Sequence, residues 1–171
     1  MATSSTLTAK KPLFCLLMSL WFLSDTGYGL STDKQQVAKI KADSVEYNET
    51  TGVSTYIGHI IADQGSTHLT ADKVQVYYSK QHQIEQITAH GKPVRYKTLP
   101  DGKQQPIEAI ADQIIYYPTK GKVILIGHGC VTHNHHQFTG PHIEYYIIAK
   151  RILSRPDGQS GTTITLTPGS A

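Results

Sequence analysis

The sequence contains little cysteine: Cys15 and Cys130 are the only two in 171 residues. Cys15 lies in an apolar N-terminal run that has the layout of a secretion signal, so cleavage would leave Cys130 as the single thiol. One cysteine cannot form an internal disulfide, which excludes a small disulfide-stapled fold. Stability must therefore come from packing and strand pairing, and Cys130 is expected to be a small buried side chain.

Charge of one sign and catalytic motifs are also scarce. The formal net charge is +3, and so mild an excess argues against a nucleic-acid partner. The sequence has no G-x-S-x-G elbow, no H-E-x-x-H and no glycine-rich phosphate loop leading into a helix. The serine within residues 158–161 lies in a tail rich in Pro, Gly, Ser and Thr, where a preorganised site is not expected. We therefore predict no catalytic site and no cofactor.

Long apolar runs are absent except near the N-terminus. The basic pair Lys10-Lys11 precedes the eleven-residue run Leu13–Leu23, and small residues follow up to Gly29. The run is shorter than the roughly 20 residues of a membrane-spanning helix. We predict a signal peptide cleaved after Gly29 and export from the cytoplasm, and an uncleaved anchor is the alternative.

The most informative feature is an internal repeat. Residues 42–78 align without gaps onto residues 111–147 at a constant offset of 69. Such self-similarity indicates two copies of one supersecondary unit, and the repeated aspartates and Gly-His pairs are expected to be structural. The identical positions are Ala42/Ala111, Asp43/Asp112, Tyr47/Tyr116, Thr50/Thr119, Gly52/Gly121, Ile57/Ile126, Gly58/Gly127, His59/His128, Thr70/Thr139 and Tyr77/Tyr146.

Each copy has the pattern of antiparallel strands. Apolar and polar residues alternate, and turn clusters such as Asn48–Gly52 and Asp63–Gly65 separate the runs. Between the copies, Ile84–Lys97 predicts two strands around a turn at Gly91–Pro93. No window of a dozen residues has a sustained helical stripe. The sequence therefore predicts an all-β, antiparallel sandwich or jelly roll built from two pseudo-repeated halves.

The repeat also predicts which side chains face inward. A strand alternates its faces, so positions that are apolar in both copies should mark the inside. These pairs are Val45/Ile114, Tyr47/Tyr116, Tyr56/Leu125, Ala62/Val131, Leu69/Phe138, Val74/Ile143 and Val76/Tyr145. An ordinary core and an apolar ligand groove would both have this pattern, and alternation alone leaves both open.

Five strings of the sequence closely resemble segments of one known family: ADSVEYNETTGVSTYIG, GSTHLTADKVQVY, GKPVRYKTLPDGKQQP, EAIADQIIYYPTKGKVILIGHG and GPHIEYY. That family is the LptA (OstA-like) family of periplasmic lipopolysaccharide-transport proteins. The resemblance covers about Val37–Ser154 and implies a slightly twisted, V-shaped β-jelly roll whose interior holds the acyl chains of lipid A. The lining expected from this resemblance is Ala38, Ile40, Val45, Tyr47, Tyr56, Leu69, Val74, Val76, Tyr96, Ile114, Tyr116, Leu125, Phe138, Ile143 and Tyr145.

The resemblance also implies a function and partners. Members of the family carry lipopolysaccharide from the inner to the outer membrane and stack head to tail, with LptC at the inner membrane and LptD at the outer. The expected organisation is a signal peptide over residues 1–29, a leader segment over 30–36, a jelly-roll domain over 37–155 and a disordered tail over 156–171.

The histidines leave an alternative open. Residues 127–136 contain four histidines and Cys130, all of which can bind zinc or copper. His133–His136 lie in a predicted turn, and their counterparts in the first copy are not metal ligands. A metal-binding or structural β-protein of the periplasm is therefore the alternative to a carrier. The basic residues that could instead meet lipid A phosphates, or form a solvated face, are Lys92, Arg95, Lys97, Lys150, Arg151 and Arg155.

Overall fold

Ten antiparallel strands form one sheet in the computed structural model, which describes residues 36–100, 103, 105–134, 136–156, 158 and 161–166. The strands are β1 (Lys39–Lys41), β2 (Ser44–Asn48), β3 (Val53–Gln64), β4 (Thr67–Tyr78), β5 (Ile84–Thr98), β6 (Ile107–Tyr117), β7 (Lys122–His133), β8 (His136–Tyr146), β9 (Arg151–Arg155) and β10 (Thr163–Thr165). Within these described ranges the one helical element is a 3-10 turn at Pro118–Lys120, and no helix there is long and apolar enough to cross a membrane. The predicted signal peptide lies outside the described residues.

The strand order follows the chain through the middle of the sheet. From β3 to β8 each strand pairs with the next, which confirms the predicted antiparallel fold. Two short strands share each end: β1 and β2 both pair with β3, and β9 and β10 both pair with β8. Among the residues that the structure describes, the sheet therefore ends in a pair of edge strands on either side.

A line of register shifts crosses the whole sheet at one level. A β-bulge bends its strand, and bends that line up across neighbouring strands form a crease. The shifts fall at Ile57/Ile60, Thr70/Lys73, His90/Val94, Ile110/Gln113 and Ile126/Gly129. This crease divides the sheet into two leaves that fold toward each other. Leaf 1 contains β2, residues 53–57, 73–78, 84–90, 113–117, 122–126 and 142–146, and β9; leaf 2 contains β1, residues 60–64, 67–71, 94–98, 107–111, 129–133 and 136–140, and β10.

The repeated Gly-His pairs lie on the crease and explain why glycine is needed there. Gly58 has φ +80° and Gly127 has φ +73°, in the left-handed region that glycine tolerates best. A Cβ at Gly58 would also collide with the Asp43 carboxylate, and a Cβ at Gly127 would collide with the equivalent Asp112. The repeat therefore encodes two copies of one bend.

The core lies between the two leaves. Leu125 and Ile143, on leaf 1, are 1% and 0% exposed, and burying a side chain of this size contributes about 1.5–3 kcal/mol. Residues of both leaves form one cluster: Ile60, Ala71, Val94, Ala109, Ala111 and Val131 from leaf 2, and Val74, Val76, Ala89, Ile114, Leu125 and Ile143 from leaf 1. Contact between the leaves therefore stabilises the folded sheet.

The structure corrects two predictions from the sequence. The expected hairpin at Gly91–Pro93 is absent, because β5 is a single strand that passes through the crease there. Proline lacks an N–H, and residues 91–93 have no ladder partner, so Pro93 costs no sheet hydrogen bond. Within the tail predicted to be disordered, Thr163–Thr165 forms β10 because its β-branched residues pair with Gln137–Thr139 of β8.

Candidate functional site

Three rows of mostly apolar side chains cross the inner face of the sheet. Residues directly opposite each other in a ladder direct their side chains to the same face. The first row on leaf 1 is Val45, Tyr56, Val74, Ala89, Ile114, Leu125, Ile143 and Ser154. The second row on leaf 1 is Tyr47, Ser54, Val76, Ile87, Tyr116, Val123, Tyr145 and Ile152. The row on leaf 2 is Ile40, Ala62, Leu69, Tyr96, Ala109, Val131, Phe138 and Ile164.

The rows contain all of the lining residues named from the sequence except Ala38. Ala38 is exposed and lies one residue before β1, so the structure does not bring it into a row. Whether the remaining positions contact a ligand stays a prediction. What they share is an inward direction on one continuous face.

The rows remain uncovered at the first edge of the sheet. Val45 is 60% exposed and Tyr47 is 52% exposed, although both lie on the inner face. Leu125, in the same row as Val45, is buried because leaf 2 lies over the middle of leaf 1. The interior is therefore closed at its centre and open at its edge, which is not the pattern of a sealed sandwich core.

A small cavity separates the leaves at the centre. Its volume is about 50 Å³. That is well below the roughly 300–1,000 Å³ of pockets that enclose a small-molecule ligand, so the leaves must part further to admit a lipid acyl chain. The lining combines leaf 2 residues Tyr96, Thr98, Ile107, Ala109 and Val131 with leaf 1 residues Val123, Leu125 and Tyr145.

Sequence reasoning missed several inward positions. Many of the overlooked positions lie outside the two copies of the repeat, and Val123 has the polar Ser54 as its counterpart, so the comparison of the copies could not find them. Alanines, which give a weak hydrophobic signal, and residues next to the crease, where the alternation is interrupted, were also overlooked. The overlooked positions include Ile60, Ile87, Ala89, Val94, Ile107, Ala109, Ala111, Val123 and Ile152. The repeated Gly-His pairs lie where the crease crosses the sheet, but the sequence alone did not identify a bend there.

The inner tyrosines report an environment of low polarity. Burial raises the pKa of Tyr116, and the neighbouring Tyr96 of leaf 2 raises it further. Burial also raises the pKa of Tyr145. Both hydroxyls are therefore neutral over the physiological pH range, which suits an apolar interior.

Three of the basic residues considered for phosphate binding, Arg95, Lys97 and Arg151, face away from this interior. Arg95 and Lys97 flank the inward Tyr96, and Arg151 flanks the inward Ile152, so alternation directs them outward. Lys97 Nζ lies 2.8 Å from Glu108 Oε1 in an exposed ion pair. These positions have the arrangement of a solvated outer face.

The outer face holds a buried carboxylate, Glu144, whose side chain is only 7% exposed. It accepts hydrogen bonds from Tyr146 Oη at 2.8 Å and Lys122 Nζ at 3.0 Å, and Arg155 Nη2 lies 3.6 Å away. The Tyr146 hydroxyl, together with Lys122, lowers the pKa of Glu144 to about 2. The cluster connects β7, β8 and β9, so it fixes the last strand of leaf 1.

The histidine-rich segment does not assemble a metal centre among the residues that the structure describes. No group of three or more His, Cys, Asp or Glu side chains in that part of the chain could hold a metal ion. His133 lies on the inner face, whereas Cys130 has the opposite alternation and accepts a hydrogen bond from Gln137 on the outer face. His59 and His128 are separately paired with Asp43 and Asp112 at the crease.

Comparison with known proteins agrees with this architecture. Residues 39–151 match the family described as LptA/(LptD N-terminal domain) LPS transport protein. The chain belongs to this family. The LptA match covers both repeats and ends at Arg151, the first residue of β9.

Individual LptA-family relatives are also similar. The lipopolysaccharide export system protein LptH of Pseudomonas aeruginosa is 33% identical over 122 residues, which cover 71% of this chain and 70% of that protein. The lipopolysaccharide export system protein LptA of Escherichia coli is 27% identical over 154 residues, covering 90% of this chain and 83% of that protein. The crystal structure of P. aeruginosa LptH, described as a periplasmic transport component, matches with a TM-score of 0.72 and 27% identity over 81% of this chain and all of that chain. The jelly-roll prediction is thus confirmed.

Proposed function

We propose that this protein is a periplasmic carrier of lipopolysaccharide, which holds lipid A acyl chains between its leaves and passes them from the inner toward the outer membrane. The observation that carries the proposal is the set of inner rows, apolar across both leaves and uncovered at the sheet edge. Membership of the LptA family and the lipopolysaccharide-export function of the similar proteins support it. The predicted signal peptide over residues 1–29 supports a periplasmic location.

The energetics suit binding followed by release. Moving one methylene from water into an apolar groove contributes about 0.8 kcal/mol, so about ten methylenes would contribute about 8 kcal/mol before ordering costs. The interior must open to accept a chain, which offsets part of that gain. A chain can then move to a similar neighbouring groove at little net cost.

The test compares two exposed aliphatic residues on opposite faces. Val45 is 60% exposed on the inner face of β2, and Ile57 is 50% exposed on the outer face of β3. Val45→Asp should weaken lipopolysaccharide binding about tenfold or more, because a carboxylate would enter the apolar groove, whereas Ile57→Asp should not. Binding is measured by co-elution in size-exclusion chromatography. Equal retention by both variants would refute a binding site on the inner face.

We further propose that copies stack head to tail, with LptC docking at one end of the stack and LptD at the other. Directions alternate along the sheet from β2 to β9, so β2 and β9 run opposite ways. A second copy in the same orientation can therefore place its β2 antiparallel to β9 and continue the sheet. The inner rows would then run on into the next molecule.

Disulfide trapping tests the stacking. Val45 begins the first inner row and Ser154 ends it. In a Cys130→Ser background, Val45→Cys with Ser154→Cys should give a ladder of linked oligomers under mild oxidation. The control pair Glu46→Cys with Ser154→Cys should not, because Glu46 points to the outer face. Monomers alone from both pairs would contradict stacking in this register.

A further inference from the structure

The free end of leaf 2 carries a polar rim that differs between the two repeats. One row beyond Leu69 and Phe138, the inner positions are Gln64 paired with Thr67 in the first half and His133 paired with His136 in the second. The offset of 69 relates these two pairs position by position. Both pairs therefore occupy the same place in the fold, and only their chemistry differs.

The polar side chains of the first-half pair have hydrogen-bond partners, whereas one ring nitrogen of each histidine in the second-half pair has none. Gln64 Nε2 donates to the Gln36 carbonyl at 3.1 Å, and Thr67 Oγ1 lies 2.9 Å from Thr98 Oγ1. By contrast, His133 Nε2 and His136 Nδ1 are buried without a hydrogen-bond partner in the described structure. Buried polar atoms are nearly always partnered in folded proteins, so two adjacent unpartnered nitrogens leave hydrogen-bonding capacity that a bound polar group could use.

The surrounding charge favours an anion over a cation. Burial lowers the pKa of His133, and the positive charges of Lys103 and His136 lower it further. Lys103 belongs to the β5–β6 connection beside the same rim. A metal cation would be repelled by Lys103, whereas an anion would be attracted by it and would also favour protonation of the imidazoles.

The position specifies what kind of anion fits. Two residues along a strand span about 7 Å, so the histidine pair lies about that far from the apolar row of Val131 and Phe138. An amphipathic ligand with its acyl chains in that row would place the group nearest its chains at the rim.

We propose that His133 and His136, assisted by Lys103, bind a phosphoryl group of the lipid headgroup while the acyl chains occupy the inner rows. This proposal rests on the carrier function above and adds a headgroup site to it. The imidazole N–H groups and the Lys103 ammonium donate hydrogen bonds to phosphoryl oxygens. The arrangement is particular to the second repeat, which is why the Gln64/Thr67 end of the rim would not take part.

The test replaces the histidine pair of the second repeat with the residue types at the equivalent positions of the first repeat. The double variant His133→Gln/His136→Thr reproduces the first-half pair, which this fold already accommodates. Wild-type protein should bind bis-phosphorylated lipid A about tenfold more tightly than fully dephosphorylated lipid A, and the double variant should lose that preference while binding the dephosphorylated lipid equally well. The control His82→Asn, in the exposed β4–β5 turn, should keep the full preference.

Four outcomes would overturn the proposal. Equal binding of both lipids by the wild-type protein, or a preference that survives in the double variant, would remove the headgroup site but leave the carrier function intact. No binding of either lipid would instead refute the carrier function and this site with it. Imidazole NMR signals of His133 and His136 that respond to zinc but not to inorganic phosphate or phosphorylated lipid would assign the pair to a metal.

Discussion

His59 and Asp43 are joined across the crease: the imidazole Nδ1–H donates to the carboxylate Oδ2 at 2.7 Å. The second half repeats the contact between His128 and Asp112 at 2.8 Å. The backbone N–H of Asp43 also donates to the carbonyl of Gly58 at 3.1 Å, which ties the β1–β2 junction to the bend of β3. The Ala-Asp and Gly-His positions of the repeat are thus the two sides of one structural contact.

This contact predicts the titration of His59. The hydrogen bond to Asp43 raises the pKa of His59 above 6.5, and the more distant charge of Asp72 raises it slightly. A raised pKa means that the pair stabilises the fold below about pH 6.5 and that this contribution is lost as pH rises through the higher folded value. Asp43→Asn should clearly lower the pKa of His59, measured by imidazole NMR, and the control Asp72→Asn should lower the pKa of His59 less. A wild-type midpoint at or below 6.5 would contradict the contact.

Gly127 should be hard to replace. Gly127→Ala should lower the free energy of unfolding by about 2 kcal/mol or more, because it combines a left-handed backbone with a collision against the Asp112 carboxylate. Gly158 is the matched control, since it has φ +91° but nothing within 4 Å of an added Cβ. Gly158→Ala should cost about 1 kcal/mol or less. Urea unfolding of both variants measures the difference, and equal losses would show that the carboxylate contact is unimportant.

Glu144 should govern stability in acid. Its folded pKa is about 2 against an ordinary value of 4.5, so its contribution is complete above about pH 5 and is lost as pH falls toward 2. Glu144→Gln should therefore cost about 2 kcal/mol at neutral pH and flatten the decline between pH 5 and 2. Denaturant unfolding across that range tests this. The exposed Glu108, replaced by Gln, provides the comparison and should change little.

Leu125 should show how the leaves are held together. Leu125→Ala removes a side chain that is buried between the leaves beside the existing cavity, and should cost about 2–5 kcal/mol. Leu153, on the outer side of β9, is only partly buried, so Leu153→Ala should cost about 1 kcal/mol or less. Thermal unfolding of the pair gives the comparison. Equal destabilisation would mean that the inner face is no better packed than the outer one.

The alternation of apolar residues was enough to find most of the inner face but not all of it. In β3, Gly58 and His59 are both unpaired, so the inward positions Tyr56 and Ile60 keep the same parity across the crease. In β4 the shift between Thr70 and Lys73 places the inward Ala71 and Val74 three residues apart, which breaks the alternation. In the sequence, such a break cannot be distinguished from an irregular pattern of apolar residues. Inward residues next to the crease were therefore missed.

The sequence by itself determined the all-β class, the two related halves and the side chains that share a face, because alternation and repetition are local properties of the chain. It also identified the family. Only the tertiary structure decided that Gly91–Pro93 is part of a crease instead of a turn, that Val45 and Tyr47 lie uncovered at an edge, and that His133 and His136 meet at the rim. Those features depend on the register between strands and on which leaf covers which, and both are set by contacts between residues far apart in the chain.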